Sequence, residues 1–223
     1  MKVTLLLVSA NTFGAGKDTA CDLIAKSIKQ STQSKSTKIF CYRFADKLKE
    51  WAQQMTGIKR KILPFEHYDD IVVDFTQEQK EQYCTMWQMT LGQLLQKFAT
   101  EACRDNFDEL IWCKCLAQEI NDQISDTKQY SPDCDRLVFL IPDFRFNNEE
   151  QLIDYVTSSC VVYQQTMRIE RPLTEIYHNT RDVNHRSETE LSKKTNWTHE
   201  VDNSKDISFL EDQCKQIALK ICR

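Results

Sequence analysis

Val3-Thr4-Leu5-Leu6-Leu7-Val8, running into Ser9-Ala10-Asn11-Thr12-Phe13-Gly14-Ala15-Gly16-Lys17-Asp18-Thr19, decides the fold of this chain. The apolar run reads as a short strand buried on both faces. It breaks into a loop that ends in Gly-Lys and opens a helix. Such a loop wraps backbone N–H groups around a polyphosphate. Gly14 and Gly16, with Ala15 between them, let the backbone turn sharply and approach an anion closely. Lys17 is placed to reach the outer phosphates as a point charge. Asp18-Thr19-Ala20 starts a helix whose positive end faces the same anion. The usual pattern is G-x-x-x-x-G-K-[ST]. Here Asn11 stands at the first Gly, and Asp18 follows the Lys. Thr19, one place on, supplies a hydroxyl for Mg²⁺ or a phosphate. The competing reading is a core strand, a turn and a helix with a surface lysine.

The chain has 223 residues, of which 41% are hydrophobic, enough to bury a full core in one domain. A net charge of −4 leaves no basic excess, which argues against a general nucleic-acid binder. The 10 cysteines contain no Cys-x-x-Cys, and several fall in apolar or helical patterns. They read as reduced core thiols of an intracellular, cytoplasmic protein rather than a zinc site or disulfide framework. Residues 2–8 are too short for a signal peptide and precede no A-x-A-like cleavage site. No run reaches the about 18 apolar residues of a membrane span.

Further on, the spacing predicts a helix over 18–31, a strand at Ile39–Tyr42 and a second helix from Asp46 to about Met55, with Gly57 as C-cap. Residues 58–90 read as an irregular insertion with one short helix. Helices are expected at Leu91–Cys103 and Asp108–Gln123, a polar loop at Ser125–Asp135, and a strand at Leu137–Ile141. A helix to about Thr157 and a strand at Cys160–Arg168 follow. The charged segment 169–197 reads as a lid. A weak strand, His199–Asp202, and a closing helix, Ile207–Cys222, end the chain. Alternating strands and helices imply a parallel sheet of about five strands.

Phosphoryl transfer is mostly positioning and charge neutralisation. Residues 11–19 offer the cradle. Asp143, just beyond the apolar strand 137–141, is the candidate metal carboxylate, at the strand end where such folds bind ligands. Arg145 is placed to clamp a phosphate bidentately. Arg168, Arg171, Arg181 and Arg186 suit a lid that closes over phosphates. Judged singly, Asp143 and Arg145 are a charged turn, Asp46 with Lys47 and Lys49 a capped solvated helix face, and Trp112 and Phe107 core residues.

Several segments together resemble the deoxynucleoside monophosphate kinases of bacteriophages and large DNA viruses, members of the P-loop kinases. They are Gly16–Ala20, Phe44-Ala45-Asp46-Lys47-Leu48-Lys49, Leu94–Glu101, Phe107–Trp112, Asp143–Glu149, Ser187–Leu191 and Val201-Asp202-Asn203. They span nearly the whole chain in the expected order. The resemblance implies an α/β P-loop kinase fold with a mobile lid. It also implies a reaction in which ATP, with Mg²⁺ as cofactor, phosphorylates a deoxynucleoside 5′-monophosphate to the diphosphate.

Carried over by position, Asn11, Gly14–Thr19 and Asn203 bind ATP, with Thr19 and Asp143 serving the metal. Phe44, Lys49, Gln96, Arg104 and Trp112 line the monophosphate site, and Glu188 belongs to the lid. Asp143 and Arg145 sit between the substrates, and Arg168 and Arg171 flank the transferred group, with Lys17 completing the catalytic set. Asn11 departs from the family's Gly, and Ala99 from the Gly usual before Thr-Glu. Asn adopts left-handed backbone readily, so the loop is expected to survive.

Three other readings stand beside this one: phosphomevalonate kinase, which shares the Gly-Lys-Asp loop, a non-catalytic nucleotide-binding module, and a nucleic-acid-binding P-loop protein. The expected partners are ATP and a deoxynucleoside monophosphate, with a homodimer left open and no membrane or direct nucleic-acid partner.

Overall fold

In the computed structural model, which describes residues 1–12, 14–31, 36–156, 159–172 and 185–222, the opening apolar run is strand β1 (Lys2–Ala10). It leads through helix α1 (Lys17–Gln30) to β2 (Thr37–Cys41) and α2 (Asp46–Thr56). An arm follows, with hairpin strands β3 (Lys61–Ile62) and β4 (Val73–Asp74), helix α3 (Gln77–Glu81), and hairpin strands β5 (Tyr83–Cys84) and β6 (Met89–Thr90). Helix α4 (Leu91–Gln96) passes into a π-helical stretch, Lys97–Arg104, before α5 (Ile111–Tyr130). The rest comprises β7 (Arg136–Ile141), α6 (Leu152–Tyr155), β8 (Val161–Glu170), α7 (Arg186–Thr189), β9 (His199–Asp202) and α8 (Ile207–Ile221).

The five long strands form one parallel sheet in the order β2-β7-β1-β8-β9. β1 lies at its centre, and Val3 and Leu5–Val8 are fully buried. Its side chains alternate between two cores. Val3, Leu5 and Leu7 pack with Phe139, Leu116 and Trp112 on the α2–α4–α5 side. Leu6 and Val8 pack with Ile24, Ile28, Leu210 and Cys214 on the α1–α8 side. A central parallel strand needs apolar residues on both faces, which is why the run shows no polar alternation. Phe139 stacks on Phe40 at 5.4 Å between ring centroids and so ties β7 to β2.

The differences from the sequence reading have local causes. α5 runs to Tyr130, not Gln123, because buried Ile124 and Thr127 extend the apolar stripe of Leu116, Ala117 and Ile120. The expected loop at 125–135 is therefore half helix. The helix expected over 91–103 widens after Gln96: Asp105 N donates to Thr100 O at 2.9 Å and Asp108 N to Cys103 O at 2.9 Å, both five residues back. β8 extends to Glu170 because Ile169 is buried against β1, so the expected lid begins as strand. Residues 58–90 hold two hairpins besides their helix. Beyond Asn147 the chain makes a 3₁₀ turn to Gln151 before α6, and the expected helix end at Thr157 lies outside the described residues. Phe107 is 79% exposed, so it is not core.

Gly57 caps α2 as expected, at φ 74°. All ten cysteines are free thiols, six of them buried. Among the described residues no helix is long and apolar enough to cross a membrane.

Ile24 joins α1 to the sheet with no exposed surface. Ile24→Ala is expected to cost about 2–5 kcal/mol, read as a lower urea midpoint at unchanged m-value.

Candidate functional site

A cleft of about 400 Å³ opens at the carboxyl ends of β1, β2 and β7. The parallel topology brings the chain turns after these strands to one edge of the sheet.

The loop after β1 is held from behind. Gly14 (φ 71°) and Gly16 (φ 94°) take the left-handed backbone that a side chain resists. Asn203 N donates to Glu170 O at 2.7 Å, closing β9 on β8, and its Nδ2 donates to Ala15 O at 2.8 Å. A Cβ on Gly16 would stand 2.9 Å from that Nδ2. Asn11 does not use the left-handed region: among the described non-glycine residues only Gln88 has positive φ. Its contribution is its side chain. Oδ1 accepts from Arg171 N at 3.0 Å and Nδ2 donates to Arg171 O at 3.1 Å, as a second strand segment would. Arg171 then donates through Nη1 to Gly14 O at 3.1 Å.

In front of this brace, Lys17, Asp18 and Thr19 open α1 and line the cleft. Among the described residues no hydrogen bond or ion pair holds the Lys17 ammonium. Burial, and then the charge of Arg145, lower its pKa, so a bound anion would relieve both penalties. Asp18 instead accepts from Arg43 Nη2 at 2.7 Å. Arg43 is 4% exposed and follows the carboxyl end of β2.

Asp143 follows β7 and lines the cleft with Arg145. Its Oδ1 accepts from Phe44 N and its Oδ2 from Ala45 N, each at 3.0 Å. The carboxylate thus fixes the turn after β2, and each oxygen keeps further acceptor capacity. The Arg145 guanidinium pairs with Glu188 of α7 and donates to Ser187 O of the same helix at 3.4 Å. Beneath them, fully buried Glu149 accepts from Arg145 N at 2.7 Å and Phe146 N at 3.1 Å, and pairs with Arg104. Arg104 also lies over the Phe146 ring, 4.0 Å from its centroid. Burial pushes the Glu149 carboxyl up to about 7, against the pull of Arg104 and the two backbone N–H groups.

Phe44, Lys49, Gln96 and Trp112 also line the cleft. Lys49 is 7% exposed, which corrects the expectation of a solvated helix face. Its Nζ donates to Asp74 Oδ2 at 2.9 Å. Trp112 is buried and donates through Nε1 to Ala99 O at 3.1 Å. Gln96 Nε2 is buried with no hydrogen-bond partner among the described residues.

The cleft therefore gathers Gly14–Thr19, Phe44, Lys49, Gln96, Arg104, Trp112, Asp143, Arg145 and Glu188. Asn11, Asn203 and Arg171 brace the loop without lining the cleft. Arg168 is held by Glu170 at 3.3 Å and lies 5.9 Å from the Trp197 ring centroid, also off the cleft wall. Arg181 lies outside the described residues. Arg43, Asp74, Lys80 and Glu149 were not singled out from the sequence. Arg43 carried a signal, a charged residue just past a strand, as Asp143 did.

No set of three or more His, Cys, Asp or Glu among the described residues is grouped to hold a metal ion. The Thr19 hydroxyl and Asp143 carboxylate fit the sparse oxygen donors of a cation that arrives with a polyphosphate. No family model and no curated protein matches the chain.

Gly16→Ala is expected to cost about 1–2 kcal/mol from its left-handed backbone, plus the clash with Asn203. Adding Asn203→Ala removes the clash, so the double variant should lose less than the sum in urea unfolding. Glu149 supplies a second prediction. A carboxyl raised from the ordinary 4.5 to about 7 binds its proton more tightly folded than unfolded. Its contribution to stability is full below pH 4.5 and is lost as pH rises through 7. Glu149→Gln should therefore flatten the decline in urea midpoint between pH 5 and 8. A decline as steep as wild type contradicts the assignment.

Proposed function

We propose that the chain is an ATP-dependent kinase of deoxynucleoside 5′-monophosphates on a P-loop kinase fold. The observation that carries this reading is one cleft lined together by a braced Gly-Lys loop, by Asp143 and Arg145, and by the apolar and cationic side chains Phe44, Trp112, Lys49 and Arg104. The order β2-β7-β1-β8-β9, which sets the loop-bearing strand beside the Asp143 strand, fits it.

In this reading an acceptor phosphate oxygen attacks the γ-phosphorus of ATP, the bond to the β–γ bridging oxygen breaks, and ADP leaves. Backbone N–H groups of 14–19 and the Lys17 ammonium hold the β- and γ-phosphates. Lys17 stays charged on binding because the phosphates replace its lost solvation. Arg145 neutralises charge on the moving phosphoryl group. Its pairing with Glu188 links that charge to the α7 segment. Mg²⁺ brought in with ATP would be held by Thr19 and Asp143, and it offsets phosphate charge. Arg168 and Arg171 steady the end of β8 and the loop. Phe44 and Trp112 give the acceptor's base an aromatic wall, with Gln96 and Arg104 at its edge.

The test is ADP formation from Mg·ATP with dGMP, dTMP, dCMP and dAMP offered separately, and phosphomevalonate as control. Turnover with at least one deoxynucleotide is expected. Turnover with phosphomevalonate alone would move the reading to that kinase.

Lys17→Ala is expected to lower kcat about 10³-fold while the urea midpoint falls no lower than wild type, because the change removes a cation that burial and Arg145 disfavour. Arg145→Ala should lower kcat/KM at least about 10²-fold. Arg136→Ala, whose guanidinium bonds the Ile221 carbonyl at the far end of its strand, should not. Equal rates for these two arginine variants would remove Arg145 from the site.

A further inference from the structure

The 58–90 arm has no part in the mechanism above, yet Asp74, Gln77 and Lys80 of this arm line the cleft. Asp74 ends β4 and is 7% exposed. Its Oδ2 accepts from Lys49 Nζ at 2.9 Å and stands 3.8 Å from Arg43 Nε. Its Oδ1 accepts from Phe75 N at 2.6 Å and stands 3.7 Å from Lys80 Nζ. One buried carboxylate from the arm thus gathers cations from two directions: Arg43 and Lys49 from the β2–α2 segment, and Lys80 from α3.

Two further carboxylates meet the cations of the β2–α2 segment. Asp18 meets Arg43 from the loop side and is 53% exposed. Asp46 stands 3.8 Å from Lys49 Nζ, and its buried Oδ1 has no hydrogen-bond partner among the described residues. Burial raises the Asp46 pKa, which weakens it as a counter-ion. Asp74 goes the other way: burial raises it, but Lys49, Lys80 and Arg43 together hold it below the usual carboxylate range. It therefore remains a fixed anion at neutral pH. A Lys ammonium has three donors, and Asp74 takes one from Lys49. Two ammonium groups gathered by one carboxylate in the lining of the cleft suit a dianion.

We propose that the arm completes the acceptor site in the cleft: Asp74 is a positioning residue that orients Lys49 and Lys80, and both ammonium groups hold the phosphomonoester of the acceptor. The proposal rests on the kinase reading for the identity of the ligand. It extends that reading to a segment and to two residues, Asp74 and Lys80, that the resemblance leaves unassigned.

The experiment is calorimetric titration of wild type, Lys80→Gln, Asp74→Asn and Asp74→Glu. The ligands are whichever deoxynucleoside monophosphate binds best, its unphosphorylated nucleoside, and ATP. Lys80→Gln should raise Kd for the monophosphate at least tenfold and leave the nucleoside and ATP within twofold. Asp74→Asn should raise KM for the monophosphate with kcat within twofold, and Asp74→Glu should recover most of the loss. Lys80→Gln is the decisive variant if Asp74→Asn does not fold, because Lys80 lies nearer the surface. An unchanged monophosphate Kd in Lys80→Gln overturns the proposal, as does equal loss of monophosphate and nucleoside, which marks a purely structural arm. Wild type that binds no monophosphate overturns it too. Wild type that binds monophosphate through Lys80 but transfers nothing sinks the kinase reading and leaves the arm's role standing.

Discussion

Burial of β1 at the centre of a parallel sheet is the constraint on which the rest of this structure depends. A strand flanked by β7 and β8 and covered on both faces can leave the sheet only at its carboxyl end. Its parallel neighbours end at the same edge. The loop after β1, Arg43 and Phe44 after β2, and Asp143 after β7 therefore converge without any long-range design in the loops themselves. Function on such a fold lives in what stands at that edge.

What stands there is fixed mostly by hydrogen bonds from side chain to backbone. Asp143 holds two consecutive N–H groups of the β2–α2 turn. Glu149 holds two consecutive N–H groups of the turn that carries Arg145. Asn11 and Asn203 hold the loop to the ends of β8 and β9. Each of these polar groups saturates backbone that would otherwise be left unpaired near the core. Against this fixed frame, the Lys17 ammonium has no bonded partner among the described residues. That contrast, a hydrogen-bonded frame around a cation with no bonded partner, is what supports the proposed anion site.

The sheet and its helices were legible because their signals are local. The run 3–8, the strands at 39–42 and 137–141, and the apolar spacing of the closing helix each follow from burial on a repeating geometry. The loop at 14–19 was legible because glycine spacing and a following lysine encode a backbone shape. Asp143 and Arg145 could be found because they follow an apolar strand. Asp74 and Lys80 could not: they lie 25 and 31 residues beyond Lys49 in an irregular arm, and only tertiary packing unites them. The π-helical turn at 97–104 was equally hidden, because a widened turn keeps nearly the same apolar pattern as an α-helix. Asn11 was legible as a departure but not as a brace, since its partner, Arg171, is 160 residues away.

The most direct test of this account follows the γ-phosphate itself. ATP labelled at the γ-position would be incubated with Mg²⁺, the folded protein and each deoxynucleoside monophosphate, and the label traced. The account predicts label in the deoxynucleoside diphosphate, in equal amount to the ADP formed. Label that stays in ATP or appears only as inorganic phosphate, from protein that binds both ligands, would contradict it.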